Sequence, residues 1–113
     1  MKEIKPVNQI NFDYNGKHYC LEYTREAVKR MEAAGFKPGE SGLTPLLELD
    51  MLWAGSFYKN HRGVSSRVIE ELLDKMTNKD KLLEALRTMV AETYESLMEN
   101  EDNEGNVEWT ATL

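Results

Sequence analysis

The chain has 113 residues, 41% of them apolar and 30% charged, enough for one soluble domain with a core built without metal or disulfides. Its single cysteine, Cys20, rules out an internal disulfide, and no stretch approaches the roughly 18 unbroken apolar residues of a membrane span. A net charge of −6, from 20 acidic and 14 basic side chains, argues against a duplex DNA binder, which needs a basic face. Two local basic groups, Arg25, Lys29, Arg30 and Lys59, Arg62, Arg67, read as solvated helix faces.

Residues 1–8 carry no clear pattern and read as a short leader. The opening lysines have no apolar run behind them, so the start is not a signal peptide and the expected location is the cytoplasm. From residue 9 the period becomes two. Ile10, Phe12 and Tyr14 share one face, and Asn11 and Asp13 the other. Asn15-Gly16 then predicts a type I′ hairpin turn, which needs positive φ at both central residues. The return strand puts Tyr19, Leu21 and Tyr23 on one face and His18, Cys20 and Glu22 on the other. A lone hairpin is marginal in water, so its apolar face must pack on something.

Thr24 stands where an N-cap belongs, and a helix follows to about Ala34, with Val28 and Met31 inward and Gly35 as its C′ residue. Residues 36–42 contain Pro38, Gly39 and Gly42 and read as a loop. Thr44-Pro45 opens a second helix, a capping hydroxyl followed by proline at N1. It is expected to run to about Tyr58 or Asn60. Its apolar set, from Leu46 through Trp53, Phe57 and Tyr58, covers more than one face. Such a helix is central to a core or shares its surface with a partner. Lys59, His61 and Arg62 suit its negative end, and Gly63 closes it.

Ser65 caps a third helix to about Met76, with Val68, Ile69, Leu72 and Leu73 at helical spacing. Thr77 or Asn78 caps a fourth, to about Met98, whose stripe is Leu82, Leu86, Met89, Val90, Thr93 and Leu97, backed by Leu83 and Tyr94. Short connections predict antiparallel neighbours. Residues 99–106 are acidic and turn-rich. Val107, Trp109 and Ala111 then alternate, as in a short strand or a tail. The expected architecture is α+β in a single domain over 1–113: a hairpin at about 9–23, a helical body of about four helices at 24–98, and an acidic tail at 99–113.

The residues offer little chemistry, and the expectation is no enzyme, no cofactor and no metal. His18 and Cys20 share a strand face, but a thiol–imidazole nucleophile needs a third, orienting group, and none is evident. The segment from Asn100, with Asp102, Glu104 and Gly105, imitates a calcium loop, but the twelfth position is Ala111 where a bidentate Glu is required. No glycine is followed by the Lys-Ser/Thr of a phosphate-binding loop. The notable usage is aromatic. Trp53, Phe57 and Tyr58 crowd one helix, where core packing is the leading reading and a partner face the alternative. Trp109 must dock on the body or wait for a partner. Buried Trp and Tyr hot spots are each worth about 2 kcal/mol or more at interfaces.

One family shares this order of features. Its marks here are a hairpin reading Ile10-Asn11-Phe12-Asp13-Tyr14-Asn15-Gly16-Lys17 and leading to Leu21-Glu22-Tyr23-Thr24-Arg25. A helix with Val28-Lys29-Arg30-Met31-Glu32 closes on Gly35-Phe36. A second carries Leu52-Trp53-Ala54-Gly55-Ser56-Phe57, with His61 after it, and the end reads Gly105-Asn106-Val107-Glu108-Trp109. From about residue 9 to 110 the chain resembles small prophage proteins of Gram-positive hosts interpreted as tail assembly chaperones of siphovirus-type phages. The resemblance implies a protein made with the tail genes, which coats the tape measure protein, brings tail tube subunits to it and is absent from the virion. It implies the short form of a pair whose long form arises by frameshift, and no catalytic residues. Self-association is compatible with it; nucleic acid and membrane are not expected partners. The alternative is a protein-binding regulator or acidic DNA mimic, against which stand the modest charge and the mixing of acids with bases.

Overall fold

The computed structural model describes residues 9–37, 44–98 and 110–112. An antiparallel hairpin, β1 (Ile10–Tyr14) and β2 (Lys17–Leu21), is followed by four helices: α1 (Arg25–Ala33), α2 (Pro45–Gly55), α3 (Ser66–Lys75) and α4 (Lys79–Met98). The fold is α+β, as expected. Asn15 and Gly16 both take positive φ, 51° and 77°, so the turn has the I′ form that the dipeptide favours, and it sets the register Tyr14↔Lys17 to Ile10↔Leu21. That register turns Tyr19 and Leu21 into the core and leaves Asn11, Asp13 and His18 in solvent.

The caps follow the local chemistry. Thr24, Thr44 and Ser65 each accept a hydrogen bond from the backbone N–H three residues on, at 3.1, 3.4 and 3.3 Å. At the end of α1, Gly35 N–H donates to the Glu32 carbonyl and Phe36 N–H to the Met31 carbonyl, both at 3.0 Å. This is a Schellman closure, which needs the positive φ of 111° that Gly35 adopts. Its companion contact is present, since Met31 and Phe36 are both buried in the same core.

Two expected boundaries shift. The second helix ends at Gly55 rather than near Tyr58 or Asn60. Beyond it Phe57 N–H bonds the Ala54 carbonyl and Tyr58 N–H that of Gly55, a tighter i→i+3 winding. Buried Ser56 drives the change: its hydroxyl bonds the Trp53 carbonyl at 2.6 Å and its own carbonyl accepts from Glu22 N–H at 3.2 Å. At the start of α4, Asn78 supplies the first helical carbonyl, to Leu82 N–H, from a left-handed φ of 53° that asparagine tolerates.

Helix α2 is the hub and packs against α1, α3 and α4. Directed bonds fix each approach. Tyr23 Oη donates to the Leu52 carbonyl at 2.6 Å, tying the hairpin's exit to α2, and Trp53 Nε1 donates to the Ile69 carbonyl of α3 at 2.8 Å. Arg87 of α4 makes a two-pronged bond to Glu48 of α2, and Tyr94 of α4 donates to Glu32 of α1 at 2.6 Å. The apolar set that covers more than one face of this helix is thus mostly explained by three helical neighbours. Leu46 and Leu47 at its start stay exposed, as do Leu97 and Met98 at the far end of α4. The stripe of α4 is therefore core only as far as Tyr94. Thr110, Ala111 and Thr112 are exposed and carry no strand; the remainder of the expected tail lies outside the described residues. No helix among the described residues is long and apolar enough to cross a membrane.

Candidate protein-binding groove

Of the four aromatic residues expected at a partner face, the structure assigns two to the core. Trp53 and Phe57 are each 1% exposed. They form a T-shaped pair at 5.3 Å between ring centroids; Phe12 stacks on Trp53 at 6.0 Å and Tyr19 meets Phe57 edge-on at the same distance. A partner cannot touch Trp53 or Phe57 while the domain is folded, because the hairpin already covers them. Their burial fits core packing, the leading reading of the sequence, and leaves Tyr58 as the aromatic residue of this helix region that is only half-buried. Trp109 lies outside the described residues.

Tyr58 is different. It is half-buried, and the guanidiniums of Arg30 and Arg62 lie over its ring at 4.5 and 4.3 Å from the centroid. Arg62 Nε also donates to the Tyr58 carbonyl at 3.2 Å. The two arginines come from the two basic groups that read as unrelated solvated faces in the sequence, and Tyr58 gathers them. They line an open groove of about 440 Å³ between α1 and α2. Its remaining lining is Ala27, Ala34, Ala54 and Gly55, with Met31 and Met51. A Cβ on Gly55 would run into the side chain of Met31, so the two helices cross closely beneath the groove. The sequence carried a weak sign of it: Ala27, Arg30 and Met31 recur at helical spacing on one face of α1, followed by its cap Ala34, and Ala54 and Tyr58 stand four apart across the end of α2.

The His18–Cys20 pair does not assemble. His18 Nδ1 bonds Asp13 at 2.7 Å and its Nε2 lies 3.2 Å from Asn11 Oδ1, both on the exposed side of the hairpin. Burial, with Glu22 beside it, pushes the Cys20 thiol above its ordinary value and away from thiolate chemistry. The histidine that meets Cys20 is His61, through the backbone: Cys20 N–H donates to His61 Nε2 at 3.0 Å, and Asn60 Nδ2 donates to the Cys20 carbonyl at 3.1 Å. Desolvation and the nearby Lys17 charge lower the His61 pKa. The bond from Cys20 works the same way, since a protonated Nε2 cannot accept it. Burial opposes ionisation of Glu22, but hydrogen bonds from Asn60 and Lys59 outweigh it and hold the carboxyl below its usual range. A second open cavity, about 620 Å³, lies between Lys17, Tyr19 and His61 and the start of α3, but its imidazole nitrogen is already engaged by Cys20. Among the described residues no three His, Cys, Asp or Glu side chains gather as metal ligands.

The groove therefore has an apolar floor of small side chains and two adaptable methionines, with two cations in its lining. That composition suits contact with another chain. Comparison with known families gives a class without an assigned task. The chain belongs to the family described as a domain of unknown function (DUF5055), whose model matches residues 5–113. No curated protein and no solved structure matches it.

Proposed function

We propose that this chain is a protein-binding assembly helper that acts in the host cytoplasm, a tail assembly chaperone of a siphovirus-type phage or prophage. In this reading it holds the tape measure protein and helps to recruit tail tube subunits, and it performs no covalent chemistry. The observation that carries the protein-binding part is the α1–α2 groove, an open apolar surface lined also by two cations. The phage part rests on the order of the hairpin, the Gly35-Phe36 closure, the Trp53 helix and the Trp109 ending in the sequence. A holdase needs adaptable apolar surface on a soluble body, and both a methionine-edged groove and a net charge of −6 fit that need.

The test is co-expression with the product of the neighbouring long tail gene, followed by pull-down and sizing. The expected result is a soluble stoichiometric complex with a client that is insoluble alone. A correctly folded chain that neither binds nor rescues the client overturns the reading.

A further inference from the structure

We propose that the α1–α2 groove seats one amphipathic helix of a partner protein, with an apolar ridge and with carboxylates that Arg30 and Arg62 take. This deepens the protein-binding reading above and rests on it. Both walls of the groove are helices, so its natural occupant is a third helix lying in the furrow rather than a strand, which needs a free sheet edge. Ala27, Ala34, Ala54 and Gly55 offer nothing longer than a methyl, so a helix backbone can approach closely, and Met31 and Met51 adjust to the ridge it presents.

The charge of the occupant follows from how the basic residues are used. Lys59 is paired with Glu22 at 3.1 Å and Arg87 with Glu48 at 2.6 Å. Arg30 and Arg62 instead rest on Tyr58, and among the described residues neither has a carboxylate within ion-pair distance. Glu26 lies one turn before Arg30 but outside that distance. The Tyr58 carbonyl already takes Arg62 Nε, but each exposed guanidinium carries five N–H donors, and the fork that remains matches a carboxylate. Two such forks on one aromatic shelf, in a chain that is acidic overall, select an acidic helix and repel a basic one.

The probe is a fluorescein-labelled helical peptide of about 20 residues, long enough to hold helix, with a Leu ridge and Glu pairs in its first two turns. A twin carries Lys in place of Glu. Anisotropy with the full chain is expected to show the Glu peptide binding roughly tenfold tighter than its twin. The Arg30→Glu/Arg62→Glu chain is expected to reverse that preference, and Ala54→Trp, which fills the groove, to abolish binding of both. All variants are checked by circular dichroism, and these side chains are exposed, so folding is not at stake. No binding of the Glu peptide, or a preference that the arginine reversal leaves unchanged, overturns the proposal. Two further outcomes also overturn it by naming another occupant. One is a dimer that the arginine reversal dissociates, which gives the groove to a second copy. The other is peptide binding only by a Glu101→Lys/Asp102→Lys/Glu104→Lys chain, which gives it to this chain's own acidic segment. Client rescue that survives Arg30→Glu/Arg62→Glu removes the groove and leaves the chaperone reading; failure of rescue by the unaltered chain removes that reading, and the peptide assay still decides the groove.

Discussion

Trp53→Ala separates a core residue from a contact residue. Trp53 is 1% exposed, packs against Phe12 and Phe57, and donates from Nε1 to the Ile69 carbonyl. Truncating a buried aromatic to alanine costs about 3–5 kcal/mol in lost transfer energy and residual cavity. The lost hydrogen bond adds about 1 kcal/mol, and not more, because the Ile69 carbonyl lies within α3 and keeps its place in the helical ladder. A domain of this size holds on the order of 6–15 kcal/mol in total, so the variant should lose about a quarter of its stability or more. The assay is urea unfolding followed by far-ultraviolet circular dichroism, since the substitution removes one of two tryptophan signals. The midpoint should fall by about the same fraction or more. A variant that melts within about 1 kcal/mol of the parent yet loses a partner would refute the core assignment and restore Trp53 as a contact residue.

Tyr23→Phe should cost about 1 kcal/mol in the same assay, because the Leu52 carbonyl also accepts from Ser56 N–H and is not orphaned. Gly35→Ala, which forces a side chain onto a φ of 111°, should cost about 1–2 kcal/mol, read as a lowered melting temperature. The Arg87–Glu48 pair is partly solvent-exposed on both sides, so Arg87→Ala should cost less than about 1 kcal/mol, and less still in 1 M salt. The depressed pKa of His61 means that the unfolded chain binds its proton more readily. Its contribution is therefore complete above the ordinary value of 6.5 and is lost as pH falls through the folded value. Urea midpoints should decline from pH 7 to pH 5, and less so in His61→Gln, whose amide oxygen can accept from Cys20 N–H without titrating.

The hairpin, the three hydroxyl caps and the Gly35 closure were legible because each is decided within a few residues: Asn15-Gly16 by φ, Thr24 by the N–H it accepts, Gly35 by the absence of a Cβ. The end of α2 was not, because the bond that engages the Ser56 carbonyl comes from Glu22, on a distant part of the chain. The same holds for the aromatic residues. Pattern alone places Trp53, Phe57 and Tyr58 together on one helix, but only the packing of the hairpin decides that the first two are covered and that Tyr58 remains to meet Arg30 and Arg62. The apolar run at Leu46 and Leu47 belongs to a set that the pattern left open between core and partner surface, and the structure leaves both residues in solvent.

The contacts that Asn60 and His61 make with Cys20, together with the bond from Glu22 N–H to Ser56, have a consequence for life at high concentration. At Cys20 and Glu22 the outer rungs of the return strand are occupied by two side chains and one carbonyl, so these rungs cannot template a foreign strand. Asn60→Ala or His61→Ala should therefore show first as precipitation on concentrating the protein.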